Sequence, residues 1–216
     1  MLAKIKLKHH DTAMKLVIAS NNAHKIREFQ EIMPEHIILK PKDLGIEFEH
    51  DEIETSFALN AVGKATSLWR QLLQSPKASA DLLVVADDSG LVVPALGGAP
   101  GVYSARYGAI AGADPLSDSD RNALLLRNMQ GIIDRQAYYV CSMALVHGLD
   151  KFDIIQETWD GSIANEASQA KGGFGYDPLF YLAEFACTVA DLPPQAKSTL
   201  SHRAKAMLRL LRLLKA

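Results

Sequence analysis

The chain has 216 residues, of which 48% are hydrophobic, and its formal net charge is −2. This length and composition suit a globular protein with a sizeable core, and the charge does not favour a nucleic-acid-binding surface. No apolar run in the sequence has the length that a membrane span requires.

Residues 1–13 are rich in lysine and histidine and lack the long apolar segment of a signal peptide. We expect them to form a flexible N-terminal extension, and we expect residues 14–216 to form a single domain. Cys141 and Cys187 lie far apart in apolar surroundings, which predicts buried free thiols in a reducing compartment. The sequence therefore predicts a cytoplasmic protein.

A strand, a polar loop and a helix follow one another near the start of the chain. Residues 15–19 form an apolar, β-branched run typical of a buried strand, and residues 20–25 read Ser-Asn-Asn-Ala-His-Lys. Such a loop can present backbone N–H groups to a phosphate, with Lys25 adding a positive charge. The alternative is an ordinary helix N-cap by Ser20 or Asn21.

The next elements are a short strand at residues 37–39 and a long amphipathic helix at residues 57–73. Residues 47–54 between them are acidic, which is typical of a solvated face or of the start of a helix. Asn60 and Lys64 are four residues apart and share one helix face, where they can meet a ligand or water.

The most informative stretch is a buried strand, residues 82–86, that runs into Asp87, Asp88 and Gly90. Neighbouring side chains on a strand point to opposite faces, so one carboxylate can face a metal or substrate while the other orients or braces. Ligands of open α/β sheets bind at such strand ends. The alternative is a strand that stops in an Asx-type turn.

Further elements follow this strand. Residues 97–101 form a glycine-rich loop, and a helix through residue 129 is predicted to be capped by Asp118 or Ser119. Residues 137–146 and 152–159 predict a β-hairpin.

A second unusual stretch is the loop at residues 171–178, Lys-Gly-Gly-Phe-Gly-Tyr-Asp-Pro. It can present Phe174 as a stacking platform, or it can be a tight turn with an anchoring aromatic. Lys197, His202 and Arg203 then form a cationic cluster before the last helix. The apolar stripe of that helix predicts core packing or a subunit contact and consists of Met207, Leu208, Leu211 and Leu214.

Cations suit phosphates, carboxylates suit Mg²⁺, and an aromatic on a glycine loop suits a nucleobase. If these segments meet in space, the sequence predicts a site for a Mg²⁺-bound nucleoside polyphosphate.

The same segments resemble the inosine triphosphate pyrophosphatase family. Six motifs in the family's order carry the resemblance and together span the chain from residue 14 onward: residues 20–25, 56–65, 86–91, 97–107, 173–178 and 201–203. The resemblance implies an elongated, two-lobed α/β fold with a central mixed β-sheet flanked by helices. It also implies an active-site cleft between the lobes and a homodimer.

The activity that the resemblance implies is hydrolysis of ITP, dITP and XTP to the monophosphate and pyrophosphate, with Mg²⁺ as cofactor. Such a reaction clears non-standard purines from the nucleotide pool before they enter DNA or RNA. It requires neither a membrane nor direct contact with nucleic acid.

The resemblance also implies a role for individual residues. Asp88 matches the catalytic proton acceptor, and the metal ligands fall at Asp51, Glu52, Asp87 and Asp88, with Glu52 favoured over Asp51. The implied substrate contacts are Ser20, Asn21, Asn22, Ala23, His24, Lys25, Lys64, Ser89, Phe174, Gly175, Tyr176, Asp177, Lys197, His202 and Arg203.

Base selection follows from hydrogen-bond polarity. Donors from His202 and Arg203 suit O6 of hypoxanthine or xanthine, and Asp177 suits N1–H. Adenine reverses both polarities, and a site built around hydrogen bonds rejects such a substrate by roughly 10⁴ or more.

The chain departs from the family pattern at Leu59, Glu54 and Ala204, and Leu59 removes an acidic side chain that could contribute to the metal shell. Two rival functions stay open. One is a related pyrophosphatase that prefers modified pyrimidines, and the other is a nucleotide-binding sensor without catalysis.

Overall fold

A computed structural model describes residues 13–52, 55–77, 79, 82–110, 112, 114–148, 150–170 and 172–215. The strands are β1 Lys15–Ile18, β2 Ile37–Leu39, β3 Leu82–Val92, β4 Gln136–Gly148, β5 Lys151–Ile163, β6 Phe180–Leu182 and β7 Cys187–Thr188. The α-helices are α1 Ala23–Ile32, α2 Phe57–Leu73, α3 Asp118–Asn128, α4 Pro194–Leu200 and α5 His202–Lys215. Short 3₁₀ helices cover Pro41–Leu44, Pro94–Leu96, Gly101–Arg106 and Val189–Asp191.

The strands form one seven-stranded sheet in the order β2-β1-β3-β4-β5-β6-β7. Strand β1 is parallel to β2 and to β3, whereas β6 is antiparallel to β5 and to β7. The sheet is therefore mixed, and helices accompany it, so the predicted α/β class is confirmed. The elongated shape, the cleft and the single domain that we expected from the sequence stay predictions.

The chain divides into two compact units. The first unit contains Met1–Asp88, Ser142–Gln156 and Arg203–Ala216, and the second contains Ser89–Cys141 and Glu157–His202.

In the first unit, one face of the sheet packs on α2. Val84 and Ala86 of β3 share a buried cluster with Ala61 and Leu68 of α2. Since side chains alternate along a strand, Asp88 continues the face that α2 covers. Asp87 continues the opposite face, so the two aspartates meet different neighbours.

The second unit has its own core, built around aromatic side chains of three strands. Tyr139 of β4 and Trp159 of β5 pack on Phe180 of β6, with ring centroids 4.5 and 5.9 Å apart. Gly161 makes this packing possible, because a Cβ at this position would lie 2.7 Å from the Phe180 ring.

Strand β3 is longer than expected. The alternative of a turn directly after Asp88 is wrong, because the strand continues to Val92 and Gly90 lies within it. Leu91 is fully buried in the second core, and its N–H donates to Ser104 Oγ over 2.9 Å. Strand geometry therefore persists through both aspartates, as the assignment of two different roles requires.

Two predicted helix caps are wrong. Helix α1 is capped by Asn22 instead of Ser20 or Asn21. The Oδ1 of Asn22 accepts from the backbone N–H groups of His24 and Lys25. Helix α3 is capped by Ser117 instead of Asp118 or Ser119. In both cases the helix begins next to a capping side chain that can reach its first free N–H groups.

The end of the chain also differs from expectation. A separate short helix, α4, precedes α5. Met207 of the predicted apolar stripe is fully buried, but Leu208 is exposed and Leu210 takes its place in the core. Neither cysteine is part of a disulfide, as predicted, and Cys141 is buried, whereas Cys187 is only half-buried.

Some predictions concern residues outside those that the structure describes. They are the N-terminal extension up to residue 12, Glu54, and Lys171 at the start of the glycine-rich loop. Within the described part of the chain, no helix combines the length and apolarity needed to cross a membrane.

Candidate active site

Asp87 lies at the centre of a buried ionic cluster in the first unit. Its Oδ2 lies 2.9 Å from Lys25 Nζ and 3.2 Å from Arg203 Nε. Arg203 also donates from Nη1 to Glu28 Oε2. We call these four residues the Asp87 cluster. It joins α1, β3 and α5 through charged hydrogen bonds.

The charges in this cluster balance. Burial alone would raise the pKa of Asp87, but Lys25 and Arg203 hold that pKa well below its usual range. Asp87 is therefore a carboxylate at neutral pH, and only 1% of its surface is exposed. A carboxylate so enclosed by two cations is suited to bracing the site.

Asp88 interacts with side chains of α2 and of the segment before it. Its Oδ2 accepts from Asn60 Nδ2 over 2.9 Å, and its Oδ1 lies 3.7 Å from Lys64 Nζ. Lys64 Nζ also donates to Glu52 Oε1. We call these four residues the Asp88 cluster. The predicted pairing of Asn60 and Lys64 on one helix face is confirmed, and both side chains are buried.

Electrostatics separate the two neighbouring aspartates further. Burial raises the pKa of Asp88, and the Glu52 carboxylate raises it too, although Lys64 opposes this shift. The pKa of Lys64 is raised by Asp88, Asp87 and Glu52 despite its burial, so Lys64 is a cation. Asp88 therefore holds protons more tightly than Asp87 does, which is the property of the better base of the two.

The loop at residues 20–25 is tied down by its own polar groups. Asn21 Nδ2 donates to the Phe48 carbonyl over 2.8 Å, and Ser20 Oγ accepts from the Asn22 N–H over 3.1 Å. Asn22 in turn accepts from the N–H groups of His24 and Lys25. The loop therefore caps α1 through Asn22, and it places the Lys25 ammonium beside Asp87 of β3. Phosphate binding at this loop stays a prediction.

Asp177 organises the glycine-rich loop of the second unit. We call residues 172–178 the aromatic loop. The Asp177 carboxylate accepts from the Phe174 N–H over 2.8 Å, from Lys197 Nζ over 2.5 Å and from the Tyr139 hydroxyl over 3.3 Å. Gly173 has φ +72°, and a Cβ there would collide with Asp177 Oδ2. The loop is thus held closed by the carboxylate of Asp177, one of its own residues.

Aromatic and cationic side chains surround this carboxylate. Lys197 Nζ lies 4.1 Å from the centroid of the Phe174 ring, a cation–π arrangement. Tyr139 stacks on the His202 imidazole at 4.7 Å with an interplanar angle of 10°. Of the residues predicted from the sequence, the second unit therefore brings together Phe174, Asp177 and Lys197.

Tyr176 and Gly175 are held from outside the loop. The Tyr176 hydroxyl donates to the Ser104 carbonyl over 2.8 Å, and burial raises the pKa of Tyr176. The Gly175 N–H donates to Asp118 Oδ2, and its carbonyl accepts from Asn122 Nδ2. Tyr176 is therefore an anchor within the described structure.

Not every predicted residue joins a cluster. Asp51 is exposed beside Glu52, and Ser89 follows Asp88 on β3 as the first residue of the second unit. Among the residues that the structure describes, no group of three or more His, Cys, Asp or Glu side chains is arranged to hold a metal ion.

Sequence reasoning missed several residues that shape these clusters. Glu28 lies one helical turn after Lys25 on α1, a spacing that could have identified it. Asp118, Asn122 and Tyr139 are distant in sequence from the loop that they contact, and no local pattern marks them.

A mixed sheet that carries carboxylates and cations along one strand defines an α/β protein with a charge-paired polar site, the class that often binds phosphorylated ligands. The comparisons with known proteins make this more specific. The chain belongs to the Ham1 family, whose model matches residues 16–213.

Named relatives cover almost the whole chain. A dITP/XTP pyrophosphatase of Treponema denticola is 41% identical over 94% of this chain and 99% of its own length. One from Bordetella pertussis is 44% identical, over 94% of this chain and 92% of its own length. The resemblance inferred from the six motifs is confirmed.

Solved structures agree with these relatives. The Staphylococcus aureus Ham1 protein superposes with a TM-score of 0.79 at 35% identity, over 93% of this chain and 98% of its own. A Ham1 protein from Coxiella burnetii gives a TM-score of 0.78 at 34% identity, over 93% of this chain and 98% of its own.

Proposed function

We propose that this chain hydrolyses non-standard purine nucleoside triphosphates, namely dITP, XTP and ITP, to the monophosphate and pyrophosphate. Support comes from the names of its full-length relatives and from the two ionic clusters. The observation that carries the proposal is the contrast between Asp87 and Asp88, because one carboxylate is neutralised and the other is poised as a base.

Asp88 is the proposed proton acceptor. Asn60 fixes its Oδ2 by a 2.9 Å hydrogen bond, and Lys64 lies near its Oδ1. In the proposed reaction this carboxylate takes a proton from the water that attacks the α-phosphorus. The P–O bond to the leaving pyrophosphate then breaks, and Asp87, held by Lys25 and Arg203, keeps β3 in place.

The Asp88 cluster fits a divalent cation, and we propose Mg²⁺. Glu52 and Asp88 supply hard carboxylate oxygens, and the ammonium of Lys64 contacts the first and lies near the second. Because these two carboxylates already attract the Lys64 ammonium, their oxygens also suit a metal cation. Glu52 and Asp88 would hold the ion, with exposed Asp51 and braced Asp87 contributing negative charge nearby. When bound, Mg²⁺ would neutralise phosphate charge.

The phosphates are proposed to bind at the remaining cations of the first unit. Lys64 and Lys25 are ammonium groups that carboxylates hold in place, so they offer positive charge to a triphosphate at fixed positions. The loop Ser20, Asn21, Asn22, Ala23, His24 and Lys25 adds polar groups beside Lys25. Since Asn22 already accepts from two backbone N–H groups, the loop contributes fewer free donors than its sequence indicates.

The base is proposed to bind at the aromatic loop, where Phe174 offers a ring and Lys197 a donor. Arg203 donates to Asp87 and Glu28, so we assign recognition of O6 to His202 and Lys197. Asp177 already accepts three hydrogen bonds, and we assign it the ordering of Lys197 and Phe174. Gly175, Tyr176 and Ser89 would line the ligand through their backbone.

The proposal also includes a cytoplasmic homodimer that acts on free nucleotides. The family resemblance supports the dimer, and the slightly negative net charge argues against nucleic acid as a partner.

The test is pyrophosphate release from dITP, XTP, dATP and dGTP, with Mg²⁺ and with EDTA. We expect rapid Mg²⁺-dependent release from dITP and XTP alone. The variant Asp88→Asn should lower kcat by about 10²–10⁴, the usual contribution of a general base.

The matched control is Asp150→Asn. Asp150 is an exposed aspartate with φ +54°, a conformation that asparagine accepts, and the change removes the same charge. It should leave kcat unchanged. Equal hydrolysis of all four nucleotides would overturn the base selection, and binding of dITP without hydrolysis would favour the sensor.

A further inference from the structure

Helix α3 contacts the aromatic loop at both backbone polar groups of one residue, Gly175. We propose that Asp118 and Asn122, which make these contacts, are positioning residues that set the base specificity of the enzyme. The inference rests on the proposed function, because it assigns the clamp to the loop that we expect to contact the base. Neither residue belongs to a motif that carried the sequence-based prediction.

The clamp has two hydrogen bonds. Asp118 Oδ2 accepts from the Gly175 N–H over 2.7 Å, and Asn122 Nδ2 donates to the Gly175 carbonyl over 3.0 Å. The two side chains are four residues apart on α3 and so project from the same helix face. Because they hold both polar groups of one residue, they define how Gly175 is oriented.

The orientation of Gly175 matters because its backbone is in the left-handed region, with φ +63°. Nothing lies within 4 Å of the position of a Cβ at Gly175, so side-chain packing does not enforce this conformation. The clamp supplies the constraint instead. Asp177 fixes the other side of Phe174 by accepting from its N–H, so the Phe174 ring is placed between two fixed points.

The burial of Asn122 supports a dedicated role. Asn122 is only 6% exposed, and its Oδ1 has no hydrogen-bond partner among the described residues. A buried, unsatisfied amide oxygen is unfavourable, and an apolar side chain would avoid it. The hydrogen bond that Asn122 donates to the Gly175 carbonyl is therefore the one contribution that an apolar side chain at this position could not make.

Asp118 also has a second partner, so its charge and its hydrogen bond to Gly175 can be tested separately. Its Oδ1 pairs with Arg121 on the same helix, while Oδ2 accepts from Gly175. Asparagine at this position would keep an acceptor for the Gly175 N–H and lose only the charge. Alanine would lose both, so the two substitutions distinguish the hydrogen bond from the ion pair.

The experiment measures kcat and KM for dITP and for dGTP in five proteins: wild type, Asp118→Ala, Asp118→Asn, Asn122→Asp and the double variant Asp118→Ala/Asn122→Asp. Asn122→Asp is isosteric and replaces the donor with an acceptor that faces the Gly175 carbonyl. We expect the KM for dITP to rise about tenfold in Asp118→Ala and Asn122→Asp, with kcat within about threefold of wild type. Asp118→Asn should restore most of the affinity.

Two control variants lie on the same helix. Asp120→Ala removes a first-turn acidic residue that pairs only with Ser117 in the described contacts, and Asn128→Ala removes an amide that donates to Tyr107. Both should keep the wild-type KM and the wild-type ratio of kcat/KM for dITP over dGTP. Hydrogen exchange of residues 172–178 should accelerate in the clamp variants alone.

The outcomes separate the two proposals. If wild-type protein does not hydrolyse dITP, the proposed function fails, and the exchange experiment still tests the clamp. If wild type is active and the clamp variants match Asp120→Ala in KM, in the dITP/dGTP ratio and in exchange, the clamp inference is overturned. Faster exchange with unchanged kinetics would also overturn it, because the clamp would then be purely structural.

Discussion

The two candidate regions are built in opposite ways. In the first unit, the Asp87 and Asp88 clusters join charged side chains on regular helices and strands. In the second unit, the aromatic loop has no regular secondary structure, and side chains hold mainly its backbone. Charged groups on rigid elements suit a metal and phosphates, whose positions must be exact to fractions of an ångström, while a clamped loop suits a planar base.

The difference predicts that loss of a charge in the Asp87 cluster costs stability, whereas loss of a hydrogen bond to the aromatic loop costs mainly affinity. In the Asp87 cluster, removal of one charge leaves its buried partners unpaired. In the second region, removal of one hydrogen bond frees part of a loop near the surface.

The largest effect on stability should come from Asp87→Asn. This substitution leaves Lys25 and Arg203 without their buried carboxylate, and we expect the free energy of unfolding to fall by about 3–5 kcal/mol. Urea denaturation followed by circular dichroism measures it.

The neighbouring Asp88→Asn is the matched comparison. Asp88 accepts from Asn60 over 2.9 Å, and its burial disfavours the charged form, so the loss of charge should cost less than about 1 kcal/mol. The two variants should thus differ in kind: Asp88→Asn should be folded and inactive, and Asp87→Asn should be unstable. Equal losses of stability would contradict the assignment of different roles to the two residues.

The next largest effect should come from Gly173→Ala in the aromatic loop. Gly173 and Gly175 both have positive φ, +72° and +63°, so alanine at either position incurs the left-handed penalty of about 1–2 kcal/mol. Only at Gly173 would the new Cβ also collide with the Asp177 carboxylate.

We therefore expect Gly173→Ala to lower the free energy of unfolding by about 1–3 kcal/mol more than Gly175→Ala, and to raise the KM for dITP further. Parallel denaturation and kinetics of the two variants check this order. If the two glycines proved interchangeable, the closure of the loop on Asp177 would not be important for binding.

The sequence predicted the first region better than the second, for a physical reason. Helical spacing placed Asn60 beside Lys64, and strand alternation separated Asp87 from Asp88, because both rules act over a few residues. The pairing of Glu28 with Arg203, 175 residues apart, could not be predicted in this way.

The aromatic loop shows more clearly which contacts cannot be predicted from the sequence. Its glycines and Phe174 were visible, but its geometry depends on Asp118 and Asn122, which lie 57 and 53 residues earlier in the chain. These side chains bind backbone atoms, and backbone atoms are the same at every position, so no residue type in the loop reveals its partners. The predicted strand that ended at Ala86 was too short for a related reason: the burial of Leu91 in the second core is a tertiary effect.

The smallest effect should come from Tyr139→Phe. The variant removes a hydroxyl that donates to Asp177 over 3.3 Å, a long hydrogen bond, and keeps the ring that stacks on His202 and packs on Phe180. We expect a loss of about 0.5–1 kcal/mol in stability and less than about a threefold rise in the KM for dITP, because Lys197 and the Phe174 N–H still hold Asp177. Tyr138→Phe on the same strand removes a hydroxyl from the adjacent residue, which points to the opposite face, and is the matched control. A rise in KM of tenfold or more in Tyr139→Phe alone would mean that Asp177 acts on the base directly and depends on Tyr139 for its orientation, so this modest substitution separates an organising carboxylate from one that contacts substrate.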